Sequence, residues 1–107
     1  MSYNISKELL NEVIGDVVEI GSYNYSEIEL NIQHYSFKEW NRFNIYELAH
    51  KCKEWALEQG YNFKAYDKHY DVMKFDGYNF KCLAEFEADS EQQSVFDACQ
   101  WILENKE

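Results

Sequence analysis

Between Phe43 and Gly60 the apolar residues Ile45, Leu48, Ala49, Cys52, Trp55 and Ala56 recur at spacings of three and four, with polar residues between them. At 3.6 residues per turn these positions form one stripe, so the spacing predicts a helix buried along that stripe. Asn44 is placed to cap it, Glu47 three residues on completes a capping box, and Phe43 with Leu48 is positioned for a hydrophobic staple. Gly60 supplies the left-handed residue on which helices stop, and Tyr61 can then fold back onto the last turn.

The same reasoning predicts a short first helix capped by Ser6, running through Leu9, Leu10, Val13 and Ile14 to Gly15, and a last helix opened by the Ser90 and Gln93 capping box and carried by Val95, Phe96, Cys99, Ile102 and Leu103. Elsewhere the period is two. Ile28, Leu30 and Ile32 alternate with Glu27, Glu29, Asn31 and Gln33, which together with Val17 to Ser22 predicts a hairpin with one wet face, turning at Tyr23-Asn24-Tyr25. The segment from His34 to Arg42 has no clear period and either extends the second strand or crosses to the central helix. Tyr61, Phe63 and Ala65 share one face of a third strand. Asp76-Gly77, a pair favoured in two-residue hairpin turns, links Tyr70–Phe75 to a strand in which Tyr78, Phe80, Cys82, Ala84 and Phe86 face one way. The expectation is a single α+β domain over residues 1–107: three helices on an antiparallel sheet of about five strands, in the order α-β-β-α-β-β-β-α.

Three stretches, Ser6-Lys-Glu-Leu-Leu10, the run from Asn44 to Ala56, and Cys99-Gln-Trp-Ile102, resemble small accessory proteins of bacteriophages and prophages. The resemblance covers most of the chain in outline and implies a mobile-element protein. It carries no assigned activity and no site residue.

Composition narrows the function classes. An apolar share of 46%, with nine Tyr, seven Phe and three Trp in 107 residues, fits a folded domain and not a disordered one. No apolar run is long enough for a bilayer span and Met1 to Gly15 lacks the plan of a signal peptide, so a cytoplasmic location is expected. The net charge of −10 opposes direct binding to nucleic acid or anionic membranes. That charge is segregated. Glu8 to Phe37 and Cys82 to Asn105 each hold six acids and no Lys or Arg, while Lys38 to Lys81 holds eight bases against seven acids. If the first hairpin meets the last helix, Glu27, Glu29, Glu91, Asp97 and Glu104 share one negative face suited to a basic partner.

Candidate chemistry is sparse. Asp67, His69 and Asp71 alternate along a strand end, so three ligand types for a divalent metal share one face, although a polar strand edge beside a turn gives the same letters. His50 stands at helical spacing from Glu47 and Glu54, where solvated ion pairs are the plainer reading. Cys52, Cys82 and Cys99 all fall on apolar stripes and are expected in the core, without a disulfide framework and without a nucleophilic role. There is no Gly-rich phosphate loop, Cys-x-x-Cys, His-Glu-x-x-His or Ser elbow, and no cofactor is expected. The aromatic surplus is more informative, because Tyr23, Tyr25, Tyr35, Trp40, Tyr46, Tyr66 and Tyr70 fall on turns or on faces read as polar. Tyr and Trp supply much of the binding energy at protein interfaces. The leading expectation is therefore a non-enzymatic protein-binding module. Its surface, drawn from Tyr23, Tyr25, Glu27, Glu29, Trp40, Tyr66, Tyr70 and Asp97, would contact a basic protein or a second copy of the chain. The alternatives are a small metal-dependent hydrolase using Asp67, His69 and Asp71, and a phage structural subunit.

Overall fold

The three helices begin and end where side-chain chemistry closes them. In α1 (Lys7–Val13) Ser6 Oγ accepts from the N–H of Leu9 at 3.0 Å, and Gly15 follows at φ 87°. In α2 (Ile45–Glu58) Asn44 Oδ1 accepts from the N–H groups of Tyr46 and Glu47 at 2.9 and 3.3 Å. Its end is a Schellman closure: the N–H of Tyr61 reaches Ala56 O and that of Gly60 reaches Leu57 O, each at 3.0 Å, with Gly60 at φ 91°. In α3 (Glu91–Asn105) Ser90 Oγ accepts from Gln93 N–H at 3.2 Å. The Gln93 side chain does not complete a capping box. It exchanges hydrogen bonds with the backbone N–H and C=O of Asn4 at 2.7 and 2.8 Å, which fastens the N-terminal segment to α3.

These elements come from a computed structural model that describes residues 3–15, 17–23, 29–34 and 40–106, with backbone alone at positions 18, 19, 22, 23, 29–31, 34 and 40. The strands are β1 (Val17–Tyr23), β2 (Glu29–His34), β3 (Trp40–Asn44), β4 (Asn62–Tyr66), β5 (His69–Phe75) and β6 (Phe80–Glu87). They form two three-stranded antiparallel meanders, β1-β2-β3 and β4-β5-β6, which corrects the single five-stranded sheet expected from the sequence. The extra strand is β3, which takes the open edge of β2 with Leu30 opposite Phe43 and Ile32 opposite Asn41. Alternation over five residues that run straight into a helix cap is too short to show as a period. Once β3 occupies that edge, the chain leaves through α2 before the second meander begins, and one continuous sheet does not form. The fold class, α+β, is as expected. Among the described residues no helix is long and apolar enough to cross a membrane.

The apolar stripe of α2 is buried at all six expected positions and joins Leu9 and Leu10 of α1 and Val95, Phe96, Ala98, Cys99 and Ile102 of α3 in one core. α3 lies against the inner face of the second sheet, where Tyr70 and Val72 are buried and Phe63, Ala84 and Phe86 are partly so. Cys52 and Cys99 are in this core and Cys82 is not, contrary to the expectation for all three. The reason is a bulge. Val72 pairs with Ala84, but Met73 pairs with Cys82, so Leu83 is the extra residue and every β6 side chain before it changes face.

Candidate functional site

Along β5 the side chains divide cleanly: Tyr70 and Val72 point to the helices, while His69, Asp71, Met73 and Phe75 point away from them. Register adds Asn62, Lys64 and Tyr66 from β4, and Phe80, Cys82, Glu85 and Glu87 from β6, to the same outer face. That face has two halves.

At the hairpin end it is apolar. Phe75 and Phe80 are directly opposed, their ring centroids 5.1 Å apart, and remain 53% and 54% exposed. Tyr78 at the tip is 91% exposed. The connection is the four-residue Asp76–Asn79 and not the two-residue turn expected. Asp76 Oδ1 accepts from the N–H groups of Tyr78 and Asn79, both at 2.9 Å, and Asp76 N–H donates to Asn79 O. Those backbone donors hold the Asp76 carboxyl below its usual range. Only Gly77, at φ 102°, needs the left-handed region in this loop.

At the other end the face is ionisable. His69 Nε2 lies 2.6 Å from Asp71 Oδ1 and 3.4 Å from Glu85 Oε1, and its Nδ1 lies 3.8 Å from Glu87 Oε1. Tyr66 stacks on the imidazole, ring centroids 4.9 Å apart and planes 14° from parallel, which fixes the plane of the ring. Asp71 is only 9% exposed although it points away from the helices, because Tyr66, His69, Lys64 and Glu85 surround it on the sheet.

The structure thus sorts the residues that the sequence suggested. His69 and Asp71 come together as expected, but Asp67 does not join them. It occupies the two-residue β4–β5 turn at φ 56°, and Glu85 is the third donor. Tyr66 is exposed at the end of β4. Tyr70 is the clearest correction: it is 1% exposed, packs edge to face on Phe63 at 5.6 Å, and donates its hydroxyl proton to the Glu91 carboxylate. Lys53 completes that inner cluster, its Nζ 3.5 Å from Glu91 and 5.1 Å from the centre of the Tyr70 ring. The hydrogen bond from Tyr70 is the main cause holding Glu91 below the usual carboxylate range, while burial and then Glu91 push the Tyr70 hydroxyl above its own. Asp97 is half-buried on α3 and accepts from Gln93 Nε2 at 2.8 Å. Tyr25, Tyr35 and Glu27 lie outside the described residues, and Tyr23, Glu29 and Trp40 are described by their backbone positions in β1, β2 and β3 alone. α1 and α3 touch, where Ser6 Oγ donates to Gln100 Oε1 at 2.5 Å and Lys106 lies 3.9 Å from Glu12, whereas the expected negative face falls at Glu27 and Glu29 on residues outside the described side chains. On α2, His50 and Glu54 form an exposed pair at 2.8 Å. The Cys99 thiol, which donates to Cys52 O at 3.4 Å, is pushed far above its ordinary range by Cys52 and by burial, the opposite of what a nucleophile needs.

One register error explains most of what sequence reasoning missed. A two-residue turn at Asp76-Gly77 would set Phe75 opposite Tyr78 and Asp71 opposite Cys82. The four-residue turn shifts Phe80 and Cys82 by two residues, and the Leu83 bulge adds a third from Ala84 onward, so Ala84 and Phe86 join Tyr70 on the inner face while Phe80 and Cys82 stay on the outer one, and Glu85 comes opposite Asp71. Comparison of the chain with protein-family models, with curated proteins and with solved structures finds no match.

Proposed function

We propose that this chain is a non-enzymatic protein-binding module whose docking surface is the outer face of the second sheet, centred on Phe75, Tyr78 and Phe80. The observation that carries the reading is the exposure of these three rings together at the end of one hairpin. Folding leaves about half of Phe75 and Phe80 and nearly all of Tyr78 in water, and large rings on an otherwise polar surface are the usual anchors of an interface. Asp71, Glu85 and Glu87 border the patch on the same face, so the fitting partner offers an apolar seat edged by Lys or Arg. The resemblance to phage accessory proteins suggests a host protein as its source.

A photo-crosslinking residue at Tyr78 tests this, with one at Leu57, an exposed apolar position on α2, as the control. The expected result is one basic partner captured from Tyr78 and not from Leu57, with affinity for the purified partner lowered about thirtyfold by Phe80→Ala, the fold-change of a 2 kcal/mol anchor. Capture of the same chain from Tyr78 would make the partner a second copy. Equal capture from both positions, or an affinity unchanged by Phe80→Ala, would refute the reading.

A further inference from the structure

We propose that His69, Asp71 and Glu85 form a binding site for one divalent transition-metal ion of the Zn2+ or Mn2+ class. The site shares Asp71 and Glu85 with the acidic border of the docking surface but does not rest on the role of the three exposed rings.

The donor set is one imidazole nitrogen and two carboxylate oxygens, and all three atoms lie within 4.8 Å of one another. Imidazole favours zinc and its neighbours in the transition series, and carboxylates accept zinc or manganese, whereas an all-oxygen site would favour magnesium or calcium. A tetrahedral ion with bonds of about 2.0–2.2 Å holds its donors roughly 3.4 Å apart. His69 Nε2 and Glu85 Oε1 already stand at 3.4 Å. His69 Nε2 and Asp71 Oδ1, at 2.6 Å, share a proton, and a carboxylate movement of less than about 1 Å lets an ion take that proton's place. Three protein donors leave the fourth position open to water or to a donor from another molecule.

Two further observations set this cluster apart from an ordinary acidic patch. The first concerns Asp71, whose side chain is only 13% exposed on a sheet face that α3 does not cover. Its single side-chain partner among the described residues is His69. Lys64, opposite it on β4, makes no ion pair with it. On its other side the register sets it directly opposite Glu85, an arrangement of like charges that destabilises an antiparallel pair, and His69 Nε2 is the donor atom that reaches both. The second concerns orientation. Tyr66 holds the plane of the imidazole from one side, and Glu87, opposite His69 in register, places a carboxylate 3.8 Å from Nδ1. At 3.8 Å this is no hydrogen bond, but it sets a carboxylate on the side where metal-bound histidines commonly have one. By contrast, His50 and Glu54 on α2 supply only two exposed donors and no such support.

The test is a titration of chelator-treated full-length protein with Zn2+ by calorimetry and with Co2+ by its visible absorption bands. One ion per chain is expected, with Co2+ bands of a nitrogen-oxygen site. Glu85→Gln, at an exposed position that leaves folding intact, should weaken binding at least about tenfold, and His69→Gln should abolish the Co2+ bands. Asp67→Asn and His50→Gln should bind as wild type does. If His69→Gln fails to fold, as circular dichroism would show, Glu85→Gln decides alone. No stoichiometric binding, or binding unchanged in Glu85→Gln, would overturn the proposal, and a loss in Asp67→Asn instead would move the site to the turn.

Discussion

The two faces of the second sheet are one strand's thickness apart and are built by alternate residues of the same β5, yet they obey different demands. The inner face carries Tyr70 and Val72, closed over by α3, with the Tyr70 hydroxyl tied to Glu91 and Lys53. The outer face carries a half-open His69, Asp71 and Glu85 cluster beside exposed phenyl rings. Burial accounts for every residue of the first. It accounts for almost none of the second, since exposed rings forgo hydrophobic stabilisation and opposed carboxylates repel. Residues that folding does not require, gathered on one face, are where function is to be sought.

The comparison breaks most visibly where burial is complete. Phe96→Ala, in α3, should cost about 3–5 kcal/mol, the range for deleting a buried ring, and lower the melting temperature accordingly. A variant melting within a degree or two of wild type would show that the helix does not seal the inner face.

Tyr70→Phe probes the polar part of that inner face. Glu91 is about half exposed, so water replaces much of the lost hydrogen bond and the cost should be about 1 kcal/mol near neutral pH. Its pH dependence is more telling. Glu91 titrates lower in the folded chain than in the unfolded one, so its contribution is complete above the ordinary glutamate value of about 4.3 and is lost as pH falls through the depressed value. For Tyr70, whose value is raised, the contribution is complete below about pH 10 and is lost as pH rises through the folded value. Denaturation curves of wild type and Tyr70→Phe should therefore converge at both extremes. A gap that stays constant from pH 3 to 11 would assign the effect to packing alone.

The bulge makes a prediction that needs no stability measurement. Cys82 is exposed and Cys52 and Cys99 are buried, so a thiol reagent should modify one cysteine per native chain and three after denaturation. Deleting Leu83 restores unbroken alternation and turns Cys82 inward, which should remove the single fast-reacting thiol. Equal reactivity of the three thiols in the native protein would contradict the assignment of faces.

The smallest expected effect lies on the outer face itself. Phe80→Ala should change stability by no more than about 0.5 kcal/mol, because its ring stays half in water after folding. Chemical denaturation measures this directly, and a cost near that of Phe96→Ala would mean that the tip is part of the core.

What could be read from the residues in order was everything set by neighbours within about four positions. The caps Ser6, Asn44 and Ser90, the stop at Gly60 with Tyr61 folding back, and the buried stripes of α2 and α3 all depend on local hydrogen bonds and on a 3.6-residue period, and all stand as the sequence implies. Strand pairing depends instead on contacts between distant residues, and no local pattern reports them. The length of the turn after Phe75 decides which residues of β6 face which of β5, the extra Leu83 decides where its side chains exchange faces, and β3's place beside β2 decides that there are two sheets. A period of two leaves a one-residue slip undetected, while such a slip exchanges inside for outside along the whole strand. For that reason the sequence by itself determined the helices and the α+β class, whereas only the tertiary structure set His69 against Asp71, buried Tyr70, left Asp67 in a turn, and brought Glu85 to the histidine.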